Sequence, residues 1–236
     1  MIELDQLRFR YPGGNFELEI DRLHIAQGEK VAIVGPSGCG KTTLLNLVAG
    51  ISTPDNGSVT ACGDVVSGLS DSRRRDFRIS KIGMVFQRFD LVEYLNARDN
   101  ILLPFQINRS LILNNDVRRR AHELAESVGI GDKTGRYPHQ LSQGEQQRVA
   151  ICRALVAQPE LLLADEPTGN LDPASKTTVL DILLEQCDSE GKTLVVVTHD
   201  MSLLNRFDRS IDFTTFFKSA PDSSAPDVSA TDEVQA

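Results

Sequence analysis

The chain has 236 residues, of which 40% are hydrophobic, so it is long enough for one large domain or two small ones with a sizeable core. Its formal net charge of −8 argues against nonspecific nucleic-acid binding as the main task. The four cysteines are isolated, which predicts neither a zinc site nor a disulfide framework and fits a reducing cytosol. The first residues do not form a secretory signal, and no apolar run approaches the roughly 18 residues that span a bilayer. A role at a membrane is therefore expected to require a partner.

Residues 2–34 alternate apolar and polar side chains in the manner of strands. The alternation in 7–11 and again in 16–20, on either side of a Pro-Gly-Gly turn, predicts an antiparallel hairpin. An apolar run follows at 30–34 and predicts the first buried strand.

The most specific stretch of the sequence follows that strand. It fits the phosphate-binding loop pattern, Gly, four residues, Gly-Lys-Ser/Thr, and a helical pattern begins directly after it. Its residues are Gly35, Pro36, Ser37, Gly38, Cys39, Gly40, Lys41 and Thr42. The glycines let backbone N–H groups and the helix N-terminus surround an anion. Lys41 is then expected to reach the outer phosphates of a nucleotide, and the Thr42 hydroxyl a Mg²⁺ ion.

Two other interpretations of this loop are weaker. One is a plain glycine turn between strand and helix. The other is a dinucleotide-binding turn, but Thr43 stands where that pattern needs its third glycine.

Tyr11, at the end of the first predicted strand, has two interpretations as well. Its ring stacks on an adenine, since every base has a π-face, or it packs at a strand end.

The segment 57–87 is mixed. Residues 57–63 are typical of a strand that ends in a turn, and the four arginines between 73 and 78 favour a solvated helix face over a nucleic-acid patch. A buried strand is predicted at 82–86, and Gln87 follows it. Ligand groups sit at the carboxyl edge of open α/β sheets, so Gln87 is a candidate to hold a metal or to position a water.

Residues 88–158 have apolar positions at helical spacing and predict a separate helical lobe. Near its end, Ser142 and Glu145 form a capping box, which starts a helix and by itself explains both residues. In the functional interpretation, the Ser142 hydroxyl and Gly144 in the first turn hold a phosphate at the helix N-terminus.

Two further buried strands end in candidate catalytic groups. The strand at 161–164 ends in Asp165 and Glu166, adjacent carboxylates that are costly to bury without a cation. Asp165 suits a Mg²⁺ ion, through water, and Glu166 can activate a water against a phosphoryl group; the alternative is an acidic loop. The strand at 194–198 ends in His199, which contacts the terminal phosphate, holds the water, or is merely structural.

The order and spacing of these motifs resemble the ATP-binding cassette ATPases over nearly the whole of residues 1–210. The segment 141–148 is the part specific to that family. The resemblance implies an α/β fold of the P-loop NTPase (RecA-like) type, a mostly parallel sheet with an N-terminal antiparallel β subdomain and an inserted α-helical subdomain. The implied ATPase domain is 1–217, with its core at 1–87 and 159–217 and the helical subdomain at 88–158. The remaining residues, 218–236, have a composition that predicts disorder.

In such proteins two cassettes pair head to tail and bury two ATP molecules. The resemblance implies that each ATP lies between Tyr11, Thr43 and the loop 35–42 of one copy and Ser142 and Gly144 of the other. The stretch 170–172 would link the two sites. The implied Mg²⁺ groups are Thr42, Gln87 and Asp165, and the implied catalytic groups are Glu166, His199 and Gln87. Hydrolysis would pass motion to transmembrane permease subunits. The resemblance therefore implies a location at the cytoplasmic face of a membrane, where the chain is held only by its partner. No nucleic acid is expected to take part.

Two departures from the family pattern stand out. Gln143 replaces a glycine of the usual Leu-Ser-Gly-Gly-Gln segment, and residues 210–217 lack the glycine of the usual last hairpin, which predicts that this hairpin is altered. The stretches 164–172 and 96–101 resemble the lipoprotein-release and macrolide-export branch, whose ATPases work with permeases that extract or push substrates on the far side of the membrane.

Three functions compete at this stage. The first is the ATP-hydrolysing subunit of a transporter, and the second is a soluble ATPase of the same class that acts on DNA or the ribosome. The chain lacks the long heptad repeats of the DNA-acting relatives and the second cassette of the translation factors. The third is an adaptor that binds ATP without hydrolysis, which the presence of Glu166 and His199 disfavours.

Overall fold

The computed structural model of the chain describes residues 1–13 and 16–219. The strands in this part are β1 (Ile2–Arg10), β2 (Phe16–Ile25), β3 (Lys30–Val34), β4 (Asn56–Ala61), β5 (Asp64–Val65), β6 (Ile82–Val85), β7 (Leu161–Asp165), β8 (Thr193–Thr198), β9 (Arg209–Asp212) and β10 (Phe217–Ser219). The helices are α1 (Lys41–Val48), α2 (Asp71–Lys81), α3 (Ala97–Ile107), α4 (Asn115–Ser127), α5 (Gln143–Leu155) and α6 (Pro173–Glu190). Within this part, no helix is both long and apolar enough to cross a membrane.

An antiparallel sheet contains the N-terminal strands in the order β10-β2-β1-β4-β5. The hairpin predicted from the alternating pattern is confirmed, since Leu7 lies opposite Ile20 and Phe9 opposite Leu18. All four side chains are buried, because alternate residues of a strand point to the same face of the sheet. That face packs onto the rest of the molecule.

The second sheet is parallel throughout the described strands, in the order β6-β7-β8-β3-β9. Its central strands are apolar on both faces, as is usual for a parallel sheet covered on each side. Leu161, Leu163 and Val195 pack with α1 and the antiparallel sheet. Leu162 and Val196, one position along, pack with α5 and α6 on the opposite face. The predicted α/β class is therefore confirmed.

Three helices, α3, α4 and α5, lie between β6 and β7 in the chain. Each begins at a side-chain cap: Asn96 accepts from the Asp99 N–H, Asn114 from the Val117 N–H, and Ser142 from the Glu145 N–H. These caps satisfy N–H groups that the first turn of a helix leaves unpaired. The last of these helices, α5, also packs on the parallel sheet.

The C-terminal segment differs from a simple hairpin, as the missing glycine predicts. β9 pairs with β3 in the parallel sheet, whereas β10 pairs with β2 in the antiparallel sheet. A 3-10 turn, Phe213–Phe216, joins them, and Phe213 is fully buried between the sheets. The predicted tail is wrong at its start, because Lys218 and Ser219 extend β10 along the edge of β2. Residues 220–236 lie outside the described residues.

Candidate functional site

A cavity of about 750 Å³ opens at the carboxyl ends of the parallel strands β3, β7 and β8. This edge is where open α/β sheets bind their ligands. The side chains and backbone that line it come from most of the motifs that the sequence analysis singles out. The lining consists of Tyr11, Phe16, Ser37, Gly38, Gly40, Lys41, Thr42, Thr43, Gln87, Asp165, Glu166, Val197 and His199. The fold therefore brings the phosphate loop, the two carboxylates, Gln87 and His199 to one place.

The phosphate loop needs glycine at two of its positions. Gly38 and Gly40 have φ angles of 82° and 102°, which side chains rarely adopt. A Cβ built on Gly40 would also lie 2.7 Å from the ring of Phe16. Helix α1 begins directly after Gly40, so its unpaired N–H groups and its positive dipole end face the cavity. The loop is thus built to hold an anion.

Lys41 provides the positive charge of the loop. Its side chain is 6% exposed, and its Nζ donates to the carbonyl oxygens of Gly35 at 2.7 Å and Pro36 at 2.8 Å. The Sγ of Cys39 lies 3.9 Å from the same atom. These contacts hold the ammonium group at the loop with weak, neutral acceptors, which an anionic phosphate can replace.

Thr42 and Asp165 form a pair of oxygen ligands. The Thr42 hydroxyl donates to Asp165 Oδ2 at 2.8 Å. Burial raises the pKa of Asp165 above its usual range, although the Thr42 hydrogen bond and the nearby Lys41 charge act in the opposite direction. A desolvated carboxylate beside a hydroxyl favours a bound cation, and Mg²⁺ prefers oxygen ligands of this kind. The pair therefore fits a magnesium ion.

Glu166 is held in one position by its backbone and by His199. Its φ angle is 49°, in the left-handed region, which is strained for a side chain of this size and occurs often at functional sites. Its N–H donates to the Val197 carbonyl oxygen at 2.9 Å. Its carboxylate lies 2.6 Å from His199 Nδ1 and is mostly buried, whereas the His199 side chain is 65% exposed. A carboxylate oriented in this way is suited to accept a proton from water.

The structure shows Tyr11 packed at the strand end, beside the phosphate loop. Its ring packs edge-to-face on Phe9, with centroids 4.8 Å apart, and its hydroxyl lies 3.2 Å from Thr43 Oγ1. At the same time Tyr11 is 42% exposed beside the phosphate loop. Packing at the strand end fixes the ring, and the exposed part remains open to a base.

Gln87 lies against the loop that follows Glu166. A Cβ built on Gly169 would be 3.0 Å from Gln87 Nε2, and Asn170 Nδ2 donates to the Gln87 carbonyl oxygen at 3.1 Å. The predicted site residues are thus connected by contacts that the sequence analysis did not anticipate. Another such contact joins Gln147 Nε2 to the Pro167 carbonyl oxygen at 2.7 Å. The sequence feature that could have revealed this contact is an amide side chain on the otherwise apolar side of a predicted helix.

Ser142 and Gly144 are not among the residues that line the cavity. The capping box predicted for Ser142 is confirmed: its Oγ accepts from the Glu145 N–H at 3.3 Å, and Glu145 accepts from the Ser142 N–H at 2.8 Å. Lys133 Nζ lies 2.6 Å from the Glu145 carboxylate and lowers its pKa. Ser142 and Gln143 are exposed at the surface. A single chain therefore does not unite this helix start with the cavity.

Comparison with known proteins identifies a family that the chain matches. The family model described as ABC transporter matches residues 18–169. A lipoprotein-releasing system ATP-binding protein LolD from Hydrogenovibrio crunogenus is 39% identical over 91% of this chain and 94% of that protein. A macrolide export ATP-binding/permease protein MacB from Rhodopirellula baltica is 42% identical over 89% of this chain, which corresponds to 31% of that longer protein. These names confirm the predicted resemblance to the lipoprotein-release and macrolide-export branch.

A solved structure shows the same fold. The dimeric ATP-binding cassette MJ0796, in a post-hydrolysis state bound to ADP and Pi, superposes with a TM-score of 0.81 at 36% identity. The match covers 90% of this chain and 94% of that chain. With the family model, the relatives and the fold in agreement, the chain belongs to the ABC transporter family, as an ATP-binding subunit of the ATP-hydrolysing class.

Proposed function

We propose that two copies of this chain, or this chain and a similar cassette, bind two ATP molecules between them and drive a membrane permease of the export or lipoprotein-extraction type. One observation carries the proposal. The cavity holds the phosphate loop, the magnesium pair and Glu166, while Ser142 and Gly144 lie outside it, at a helix start where Ser142 is exposed. A second copy, turned head to tail, would bring that helix start to the first copy's cavity. The dimeric neighbour structure supports this arrangement.

The residues of the cavity divide the chemistry among them. The loop N–H groups and Lys41 bind the phosphates, and Tyr11 stacks on the adenine. Thr42, Asp165 and Gln87 would hold Mg²⁺, which when bound screens the phosphate charge. The remaining roles concern the water and its proton. Glu166 accepts the proton of the attacking water, and His199 orients the Glu166 carboxylate through the 2.6 Å contact.

We expect Ser142→Ala to slow steady-state ATP hydrolysis about tenfold or more while leaving ATP affinity of the isolated monomer unchanged. The hydroxyl contributes to a phosphate site that only the pair completes, so the loss appears in turnover. Measurement of turnover and of monomer affinity by calorimetry tests this. Removing a cap also destabilises a helix by about 1 kcal/mol.

The matched control for this cap effect is Asn114→Ala, which removes the equivalent cap of α4. It is expected to lower thermal stability by a similar amount without slowing hydrolysis. If the two variants behaved alike in both measurements, Ser142 would be a helix cap and nothing more.

A cleft beside the segment after Gln87 is the proposed contact with the permease. It has a volume of about 510 Å³ and lies where α2 and β6 of the core meet α3 and α5 of the lobe. Its lining includes the apolar residues Met84, Pro104 and Ile107 and the arginines Arg75 and Arg78. An amphipathic permease segment with acidic and apolar side chains fits this combination. We propose that the division into a core, 1–87 and 159–217, and a lobe, 88–158, lets this cleft change shape as the pair opens.

Two exposed isoleucines allow a matched test of this contact. Ile107 is 69% exposed and lines the cleft, whereas Ile112 is 78% exposed and is not among its lining residues. We expect Ile107→Asp to abolish co-purification with the permease from detergent-solubilised membranes, because it places a charge in an apolar contact. Ile112→Asp should co-purify normally. Both variants should hydrolyse ATP at the basal rate, and equal retention of the two would exclude the cleft as the docking site.

A further inference from the structure

Gln147 is a buried amide that the chemistry above does not use. Its side chain is 0% exposed on α5, and its Nε2 donates to the Pro167 carbonyl oxygen at 2.7 Å. Pro167 directly follows Glu166, whose left-handed backbone starts a tight turn closed by a bond from the Gly169 N–H to the Glu166 carbonyl. The amide therefore ties α5 to the residue that follows the proposed base.

The same helix touches this loop region near its N-terminus as well. A Cβ built on Gly144 would lie 3.3 Å from the Oγ of Ser175, in the first turn of α6. Ser142 precedes Gln147 by five residues, which is about 7.5 Å along an α-helix. Because a short packed helix shifts as a unit, a displacement at Ser142 reaches Gln147 nearly undiminished.

The oxygen of the Gln147 amide differs from its nitrogen in its hydrogen bonding. Its Oε1 is buried and has no hydrogen-bond partner within the described part of the chain. The Nε2 bond to Pro167 is therefore the one side-chain hydrogen bond of this amide within the described part of the chain.

We infer that Gln147 is a positioning residue that couples the two ATP sites of a pair. When Ser142 and Gly144 of one copy engage the other copy's ATP, α5 shifts, and Gln147 carries that shift to Pro167 and sets the position of its own copy's Glu166. ATP binding in one cavity thereby alters the position of Glu166 in the other cavity. The inference rests on the proposed function, since it takes Glu166 as the base and the helix start as the contact across the pair.

The first test replaces the amide with an apolar side chain of similar size. Gln147→Met is expected to lower kcat about tenfold, as for loss of one buried hydrogen bond, and to bring the Hill coefficient for ATP to 1, with monomer ATP affinity unchanged. The control, Asn100→Ser, alters another fully buried amide of the lobe, which bonds to Val92, Leu95 and Asn96. It should lower thermal stability but keep the wild-type Hill coefficient and kcat. A Hill coefficient of 1 in the wild type, or an unchanged one in Gln147→Met, would overturn the inference.

The second test uses Gln147→Glu, which cannot donate to the Pro167 carbonyl when ionised but can when protonated. Burial raises the pKa of a carboxyl group, so the kcat of this variant relative to wild type should rise about fivefold between about pH 8 and about pH 6, whereas the same ratio for Gln147→Met stays flat. A flat ratio for both would refute the coupling bond. If Glu166→Gln still hydrolysed ATP normally, the proposed function itself would fail; if Glu166→Gln were inactive and the Gln147 variants matched Asn100→Ser, only this inference would.

Discussion

Replacing Glu166 with glutamine should abolish nearly all ATP hydrolysis while leaving ATP binding intact. The substitution keeps the size of the side chain and removes the carboxylate that accepts the proton, and a positioned general base contributes about 10²- to 10⁴-fold. Because the product-forming step is blocked, the pair should accumulate with ATP trapped inside it. Single-turnover hydrolysis and size-exclusion chromatography with ATP and Mg²⁺ measure the two effects.

The control for this substitution lies at the opposite end of the same strand. Glu160 precedes β7, and its carboxylate is 3.6 Å from Lys81, away from the cavity. Glu160→Gln should therefore hydrolyse ATP at the wild-type rate and elute as the wild type does. Hydrolysis by Glu166→Gln at the wild-type rate would show that another group takes the proton.

Removing the positive charge of the phosphate loop should produce the second large effect. We expect Lys41→Ala to weaken ATP binding about 10- to 150-fold, since hydrogen bonds to charged groups contribute roughly 1.5–3 kcal/mol. The Lys41 ammonium bonds to the Gly35 and Pro36 carbonyls, so the substitution removes the positive charge together with two contacts within the loop. Calorimetric titration of the monomer with ATP gives the affinity.

A second lysine provides the comparison. Lys30 begins the strand that leads into the loop, and it pairs with Asp188 at the far edge of the sheet. Lys30→Ala should retain ATP affinity even where stability falls. An affinity of Lys41→Ala within twofold of the wild type would remove the loop from the proposed nucleotide site.

Much of the site could be predicted because its signals are local. The phosphate loop, the capping box at Ser142 and the strand that ends in Asp165 each depend on neighbours within a few residues. The contact between Glu166 and His199 could not be read from the sequence, since it joins the ends of β7 and β8. The bonds from Gln147 to Pro167 and from Asn170 to Gln87 are of the same kind, because side-chain partners across the chain leave no periodic pattern.

The C-terminal segment is a second case in which the local sequence does not predict the structure. Composition predicts disorder from Lys218 onward, but an edge strand such as β2 offers unpaired backbone groups to any neighbour. Lys218 and Ser219 take up that pairing as part of β10. Local sequence does not report the presence of such a partner.

The order of the parallel sheet has a consequence for synthesis on the ribosome. β3, which leads into the phosphate loop, has β8 and β9 as its two neighbours, and Lys30 pairs with Leu194, about 160 residues later in the chain. At roughly 5–20 residues per second, the apolar β3 strand would wait about 10–30 s for either flanking strand to emerge. A growing polypeptide of this kind is exposed to misassociation for most of its translation, and chaperone engagement should concentrate in that interval.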